Sequence, residues 1–236
     1  MAQNHWWCTG RRIWRVDKGR ELLLYPWFVP LQIIKDFSIA IDSHVWICSL
    51  DIKEGENLAI FAGDSEGNLL TFRAPEDWRS SVIFEPSKRN VNIHRIGILQ
   101  VLLVVQENFV FTISYDQHLK GFDATNGSEE FFSQKNPNRA LYTSIFWDLR
   151  HQELYVSDET GHVGILNVYV DKPLLWKKVV GEKILKVEVV EHAEKTDHLL
   201  VCTDLSIRFF VVRRGLKTQD MSGHNGPILS LITLEP

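Results

Sequence analysis

The chain has 236 residues, 30 acidic and 26 basic side chains for a formal net charge of -4, and an ordinary 44% of hydrophobic residues. That balance gives nucleic acid no electrostatic footprint over the whole chain, and no stretch approaches the roughly 18 to 20 apolar residues of a membrane span, so neither nucleic acid nor membrane is expected as a partner. Cys8, Cys48 and Cys202 are odd in number, far apart and without C-x-x-C spacing, which argues against a disulfide framework or a zinc site and fits a reducing, cytoplasmic setting.

In chain order, MAQNHWWCTGRRIWRVDKGR places arginines where a secretory signal would need its apolar run. NHWWCTGRRIWRVDKGRELLLYPWF reads as two or three strands with Lys18-Gly19 as a turn. The adjacent Trp6 and Trp7 would point to opposite faces of a strand, and one exposed indole suits a partner contact or a missing neighbour. Short apolar runs follow: VWICSL, LAIFAG, LLTF, VLLVV, VFTIS, ELYVS, VGILNVYV, ILKVEVV, HLLVC and IRFFVV. EGEN, DSEGN, YDQ, ATNG, DETG and EHAEKTD separate them as turns. Even EKILKVEVVEH alternates in a way that suits a strand better than a helix. The fold class is all-β. In GRRIWR and VVRRGLKT, arginines alternating outward as a solvated face are preferred to a single-strand nucleic-acid contact. Asn126-Gly127-Ser128 is read as a turn.

The strands repeat. Phe72, Phe122, Leu166 and Phe210 each close a strand after an acidic or glycine-containing turn, at intervals of 50, 44 and 44. Six residues before each stands Glu66, Asp116, Thr160 or Asp204, and twenty-two positions further back lie His44, His94, Asn138 and Glu182, each ahead of an apolar strand. His224 is the next start, 42 residues on, in the closing SGHNGPILSLITLEP.

These residues resemble the WD40 repeat family, whose units open with Gly-His and end near Trp-Asp. The second unit matches best: His94, Ser114, Asp116 and the pair Phe122-Asp123 stand at the family's His, Ser, Asp and Trp-Asp positions. In the family these groups form a hydrogen-bond chain, which Phe122 would shorten because it has no donor. Elsewhere the match is looser: unit one has His44, Asp64, Glu66 and Phe72, unit three keeps Thr160-Gly161 but has Asn138, and unit four keeps Gly181 and Asp204 but has Glu182 and Cys202.

The resemblance implies a β-propeller of four-stranded antiparallel blades, four blades plus a composite or incomplete fifth, over residues 1–236. Units would start near 44, 94, 138, 182 and 224, with 1–30 as a partial blade. The final Gly-His either begins a blade that the N-terminal strands complete or marks an excerpt of a longer series, and the excerpt is preferred. Stacked blades would bury Trp46, Ile60, Leu102, Val110, Phe146, Leu154, Val187 and Val201 between them.

No phosphate loop, H-E-x-x-H, nucleophile elbow or cysteine pair is present in the sequence. DATNGSEEFF is a turn rather than a calcium loop, and His44, His94 and His224 sit at repeat starts, where a structural hydrogen bond is expected. The sequence therefore assigns no catalytic residue, metal or cofactor. Its longest connection, APEDWRSSVIFEPSKRNVN, is the first candidate contact surface, with Trp78 as anchor and Arg79 beside it. The family resemblance implies a non-catalytic scaffold whose partners are other proteins. TSIFWDLRHQELYVSDETGHVGILNVY resembles long WD40-like chains of ciliary axonemes. The alternatives are substrate recognition in a ubiquitin-ligase or signalling complex and, least favoured, a propeller hydrolase.

Overall fold

The structure is a computed structural model that describes residues 5–9, 12–17, 21–26, 35–39, 44–53, 58–73, 83–84, 86–125, 129–170, 173–191, 197–211, 217–222 and 228. Among these, the secondary structure is strand throughout. By its internal contacts the chain divides into two compact units, Met1–Asp116 with Lys120–Phe131, and Gln117–Leu119 with Phe132–Pro236.

Sheet one begins with β1 (His5–Thr9), β2 (Arg12–Asp17), β3 (Glu21–Pro26) and β4 (Lys35–Ile39), each antiparallel to the one before. Sheet two contains β5 (Ile47–Lys53), β6 (Ala59–Asp64) and β7 (Leu69–Arg73). The chain then leaves it: β8 (Ile83–Phe84) pairs in parallel with β4 in sheet one, and β9 (Lys88–Asn90) returns to β7. This excursion lies inside the longer first repeat interval. It also changes the reading of APEDWRSSVIFEPSKRNVN as a contact loop, because Val82-Ile83-Phe84 has strand-forming composition and part of it is used in pairing within the chain. Trp78 and Arg79 lie outside the described residues. The N-terminal segment read as two or three strands holds three, β1 to β3, and β4 extends the same sheet beyond residue 30.

Sheet three is β10 (Ile98–Val104), β11 (Phe109–Ser114), β12 (His118–Asp123) and β13 (Glu130–Lys135). Sheet four is β14 (Tyr142–Asp148), β15 (Glu153–Asp158), β16 (His162–Leu166) and β17 (Leu175–Lys178). Sheet five is β18 (Ile184–Glu191), β19 (Asp197–Thr203), β20 (Ser206–Val211) and β21 (Lys217–Ser222). In sheets two to five the first strand carries a register shift at the same place, between Ile47/Ser49, Ile98/Gln100, Tyr142/Ser144 and Ile184/Lys186. A bulge bends its strand and re-aims the side chains around it. The residue just past it is a serine in β5 and β14, and each serine reaches the first strand of the next sheet. Ser49 Oγ accepts the Val101 amide at 3.0 Å and Ser144 Oγ that of Val187 at 3.3 Å.

Apolar faces close each unit. In the first, Ala59, Phe61 and Leu69 of sheet two meet Ile98, Val101, Val110 and Phe122 of sheet three. In the second, Tyr155, Val163 and Ile165 of sheet four meet Val187, Leu199 and Val201 of sheet five. Each of the large side chains is worth about 1.5 to 3 kcal/mol when buried. Of the residues expected between blades, Ile60, Val110, Leu154, Val187 and Val201 are buried and Leu102 and Phe146 are half-buried. Trp46 is corrected: it precedes β5 on the loop end of its sheet and is 59% exposed.

Candidate functional site

At one end of sheet three, the loop of residues 91–97 leading into β10 meets the turn between β11 and β12. His94 is 2% exposed. Its Nδ1 lies 3.1 Å from both carboxylate oxygens of Asp116 and its Nε2 lies 2.9 Å from Thr112 Oγ1. Asp116 also accepts the Arg95 amide at 3.1 Å. The hydroxyl that meets the imidazole is thus Thr112, not Ser114. Residues i and i+2 share a face of a strand, and the height of the loop decides which one His94 reaches. Ser114 Oγ instead lies 2.9 Å from the carbonyl oxygens of Ile96 and Gly97 and accepts the Asp116 amide at 3.2 Å. Phe122 is buried in the apolar cluster, and Asp123 Oδ1 accepts the Thr125 amide at 2.6 Å in the turn that follows β12.

An aspartate, a histidine and a hydroxyl in line have the connectivity of a nucleophilic triad, but Thr112 is 0% exposed. No substrate carbonyl can approach a hydroxyl closed to solvent, so the line works as a clamp between loop and turn.

Sheets two and four hold the corresponding turns differently. Asp64 Oδ1 accepts the amides of Glu66 (2.9 Å) and Asn68 (2.8 Å), and Asn68 Oδ1 accepts the Asn92 amide from the next loop at 2.8 Å. Asp158 Oδ1 accepts the amides of Thr160 (2.9 Å) and His162 (3.0 Å) and the Thr160 hydroxyl at 2.7 Å. Its Oδ2 accepts the side-chain amides of Asn138 (3.1 Å) and Asn136 (3.4 Å). Burial alone would raise the Asp158 carboxyl, but these donors outweigh it and hold it below its ordinary value. In sheet five, Glu182 forms a two-pronged pair with Arg208, at 3.0 and 3.2 Å, that lowers the Glu182 carboxyl. Asp64 is among the positions the sequence offers in unit one, and the signal for Asp158 was there as well, since DSEGN and DETGH share D-x-x-G at the same register, but an acid two places before the aligned turn residue is easily passed over.

The turns are tied by backbone as well. The carbonyls of Gly67, Gln117 and Gly161 accept amides from the next lead-in loop: His94 (3.1 Å), Asn136 (2.9 Å) and Val179 (2.9 Å). All three residues have positive φ, at 85°, 69° and 88°. A Cβ on Gly67 would lie 2.5 Å from the His94 carbonyl oxygen, and one on Gly161 would collide with the Val180 carbonyl.

This frame displays Trp46, Ile96 and Tyr115, 59%, 52% and 51% exposed. Each loop is anchored by its backbone: the Trp46 carbonyl accepts the Ser65 amide at 3.0 Å and the Gly97 carbonyl that of Tyr115 at 3.3 Å. Sequence reasoning missed all three, since an apolar residue beside a strand reads as core until its loop is placed. Of the other predicted positions, His44, Glu66 and Asp204 are exposed and Phe72 is 1% exposed. Trp6 and Trp7 stand in β1 opposite Arg15 and Trp14, described by backbone pairing only. His224 lies outside the described residues. Among the described residues, no group of three or more His, Cys, Asp or Glu side chains is placed to hold a metal ion, and no helix is long and apolar enough to cross a membrane.

No family model and no curated protein matches the chain. Among solved structures, 1430 chains match, so the architecture is widely shared and does not by itself single out a function. One is the crystal structure of Chaetomium thermophilum Raptor, which aligns with 91% of this chain at a TM-score of 0.74 and 12% identity. The fold is a WD40-like β-propeller. This chain spans 20% of the length of the Raptor chain, and at 12% identity the likeness is one of fold, so activity and partners rest on this chain's own surfaces.

Proposed function

We propose that the chain is a non-catalytic, cytoplasmic WD40-like scaffold that holds other proteins on its loop-bearing ends. The observation that carries this reading is the set of Trp46, Ile96 and Tyr115, three large apolar side chains exposed on loops whose backbones are tied to one another. Exposed aromatic and aliphatic anchors on a pre-ordered frame are what protein contacts use, because little conformational entropy is lost on binding. The burial of Thr112 and His94 supports a structural rather than catalytic use of the one triad-like line described. The net charge of -4 supports proteins over nucleic acid as partners. For the assembly we propose a ciliary or axonemal one, on the resemblance of the segment from Thr143 to Tyr169.

The test compares the whole chain with a Trp46→Ala, Ile96→Ala, Tyr115→Ala variant in affinity capture from ciliated cells. The variant should unfold as the parent does and lose the captured proteins, with tubulin and axonemal components among those lost. Undiminished capture by the variant would remove this face from the proposal, and recovery of ligase subunits in place of axonemal proteins would replace the ciliary context.

A further inference from the structure

The outer strand of sheet four differs in make-up from a purely solvated edge. β17 is the last strand in its sheet among the described residues, so one side of its backbone faces outward. Leu175, Lys177 and Lys178 are exposed, and Leu174 just before it is exposed as well. The strand is firmly seated. Trp176 lies over Gly164 of β16, where any Cβ would collide with the indole, and it is flanked by the His162 ring, stacked at 6.2 Å, and the Tyr142 ring, edge-on at 6.2 Å. An outer strand edge that no other described strand pairs with, and that is held this way, is an ordered template for an added strand.

Sheet one shows such an outer edge occupied. β4 ends its run of four antiparallel strands, and β8 adds to it in parallel, Ser38 beside Ile83 and Ile39 beside Phe84. From this precedent and the make-up of β17, we propose that the outer edge of β17 accepts an extended segment of a partner protein as a fifth, parallel strand, and that the segment is apolar at its start and acidic at its end. The apolar residues would lie beside Leu174 and Leu175, and the acidic ones beside Lys177 and Lys178.

Charge selects this occupant. No ion pair engages Lys177 or Lys178 among the described residues, and Lys183 is exposed on the loop that follows. The acidic groups nearby are engaged: Glu182 with Arg208, Glu159 with the Leu141 amide and Asp158 with its own turn. Lysines on an edge repel a second copy of the same strand, which excludes the simplest self-association, and the same charges attract an acidic strand. β13, an outer strand that does carry an acidic residue, has its Glu130 tied to Lys120 at 2.7 Å and its Phe131 packed on Phe109 and Phe111. Main-chain hydrogen bonds would supply affinity and the lysines direction, the mode known as β-augmentation.

The proposal deepens the scaffold reading by adding a second contact, and it uses residues apart from Trp46, Ile96 and Tyr115. The probe is a ten-residue peptide with Val-Val-Glu-Glu at its centre, titrated into the whole chain and followed by Trp fluorescence and by amide exchange at residues 175–178. Binding should slow exchange at those amides. N-methylation of alternate peptide amides should abolish binding, and the double variant Lys177→Glu, Lys178→Glu should weaken it by about tenfold while improving binding of the Val-Val-Lys-Lys peptide. The proposal is overturned if exchange at 175–178 is unchanged at about 1 mM peptide, if the N-methylated peptide binds equally, or if charge reversal has no effect. Outward amides already protected in the free chain would show that something else covers the edge, and would also overturn it. The same titration on the Trp46, Ile96 and Tyr115 variant should be unaffected, so failure at β17 with partner capture intact leaves the scaffold face standing.

Discussion

Sheets three and four solve the same problem with different chemistry. Each must tie the loop leading into its first strand to the turn between its second and third. Sheet three does it through one imidazole, with Asp116 at one nitrogen and Thr112 at the other, 3.1 and 2.9 Å away. Sheet four does it through one carboxylate, Asp158, which gathers donors from Asn136, Asn138, Thr160 and His162. The difference shows where each clamp is vulnerable. The imidazole line is a series, broken anywhere by one substitution, whereas the carboxylate is a hub that fails mainly when its own charge is removed.

The largest expected effect tests the backbone beneath the hubs. Gly161→Ala forces a side chain into φ 88° and against the Val180 carbonyl, and should cost on the order of 3 kcal/mol, read as a fall in the denaturation midpoint. Next is His94→Ala, which leaves Asp116 and the buried Thr112 hydroxyl without the imidazole and should cost about 2 to 3 kcal/mol. His94→Asn, which copies the Asn138 arrangement, should recover about 1 kcal/mol of that through a single bond to Asp116. Equal losses for the two variants would mean that the series description is wrong.

Asp158→Asn addresses the hub, and should cost about 2 kcal/mol at neutral pH. Because the folded-state carboxyl titrates below its ordinary value, its contribution is present above the ordinary carboxylate pKa. It is lost as pH falls through that value and then through the lowered one. The variant's stability should therefore fall less steeply with acid than the parent's, measured as unfolding free energy between neutral pH and pH about 3. Asp51 sharpens the contrast, since burial raises its carboxyl despite bonds from the Leu103 and Ile52 amides. Asp51→Asn should change stability at neutral pH by less than about 1 kcal/mol. The smallest effect is expected for Gln117→Gly, where release of the left-handed strain at φ 69° is offset by greater freedom in the unfolded chain, for a net change within about 0.5 kcal/mol.

Much of the architecture was legible because it rests on local pattern. Alternating apolar runs between turn residues mark strands, and the register that relates His94 to Asp116 across 22 positions falls where a loop and a turn meet in space. The site was less legible. Thr112 and Ser114 differ by one strand period, so sequence could not choose between them. Trp46 reads as core because it adjoins a strand, yet it belongs to a loop. The pairing of β8 with β4 joins positions 83 and 38, a distance no short-range pattern spans.

The sequence by itself marked most of the inner strands of sheets two to five, the turns between them and the repeat interval, because side-chain alternation and the backbone preferences of glycine and aspartate act over a few residues; the outer strands β9, β13, β17 and β21 were not among the runs it marked. Only the tertiary structure decided which hydroxyl completes the clamp, which apolar side chains face solvent and which strand ends each sheet among the described residues. Those outcomes depend on how high each loop sits against a neighbouring sheet, and that height is set by the packing of residues far apart in the chain.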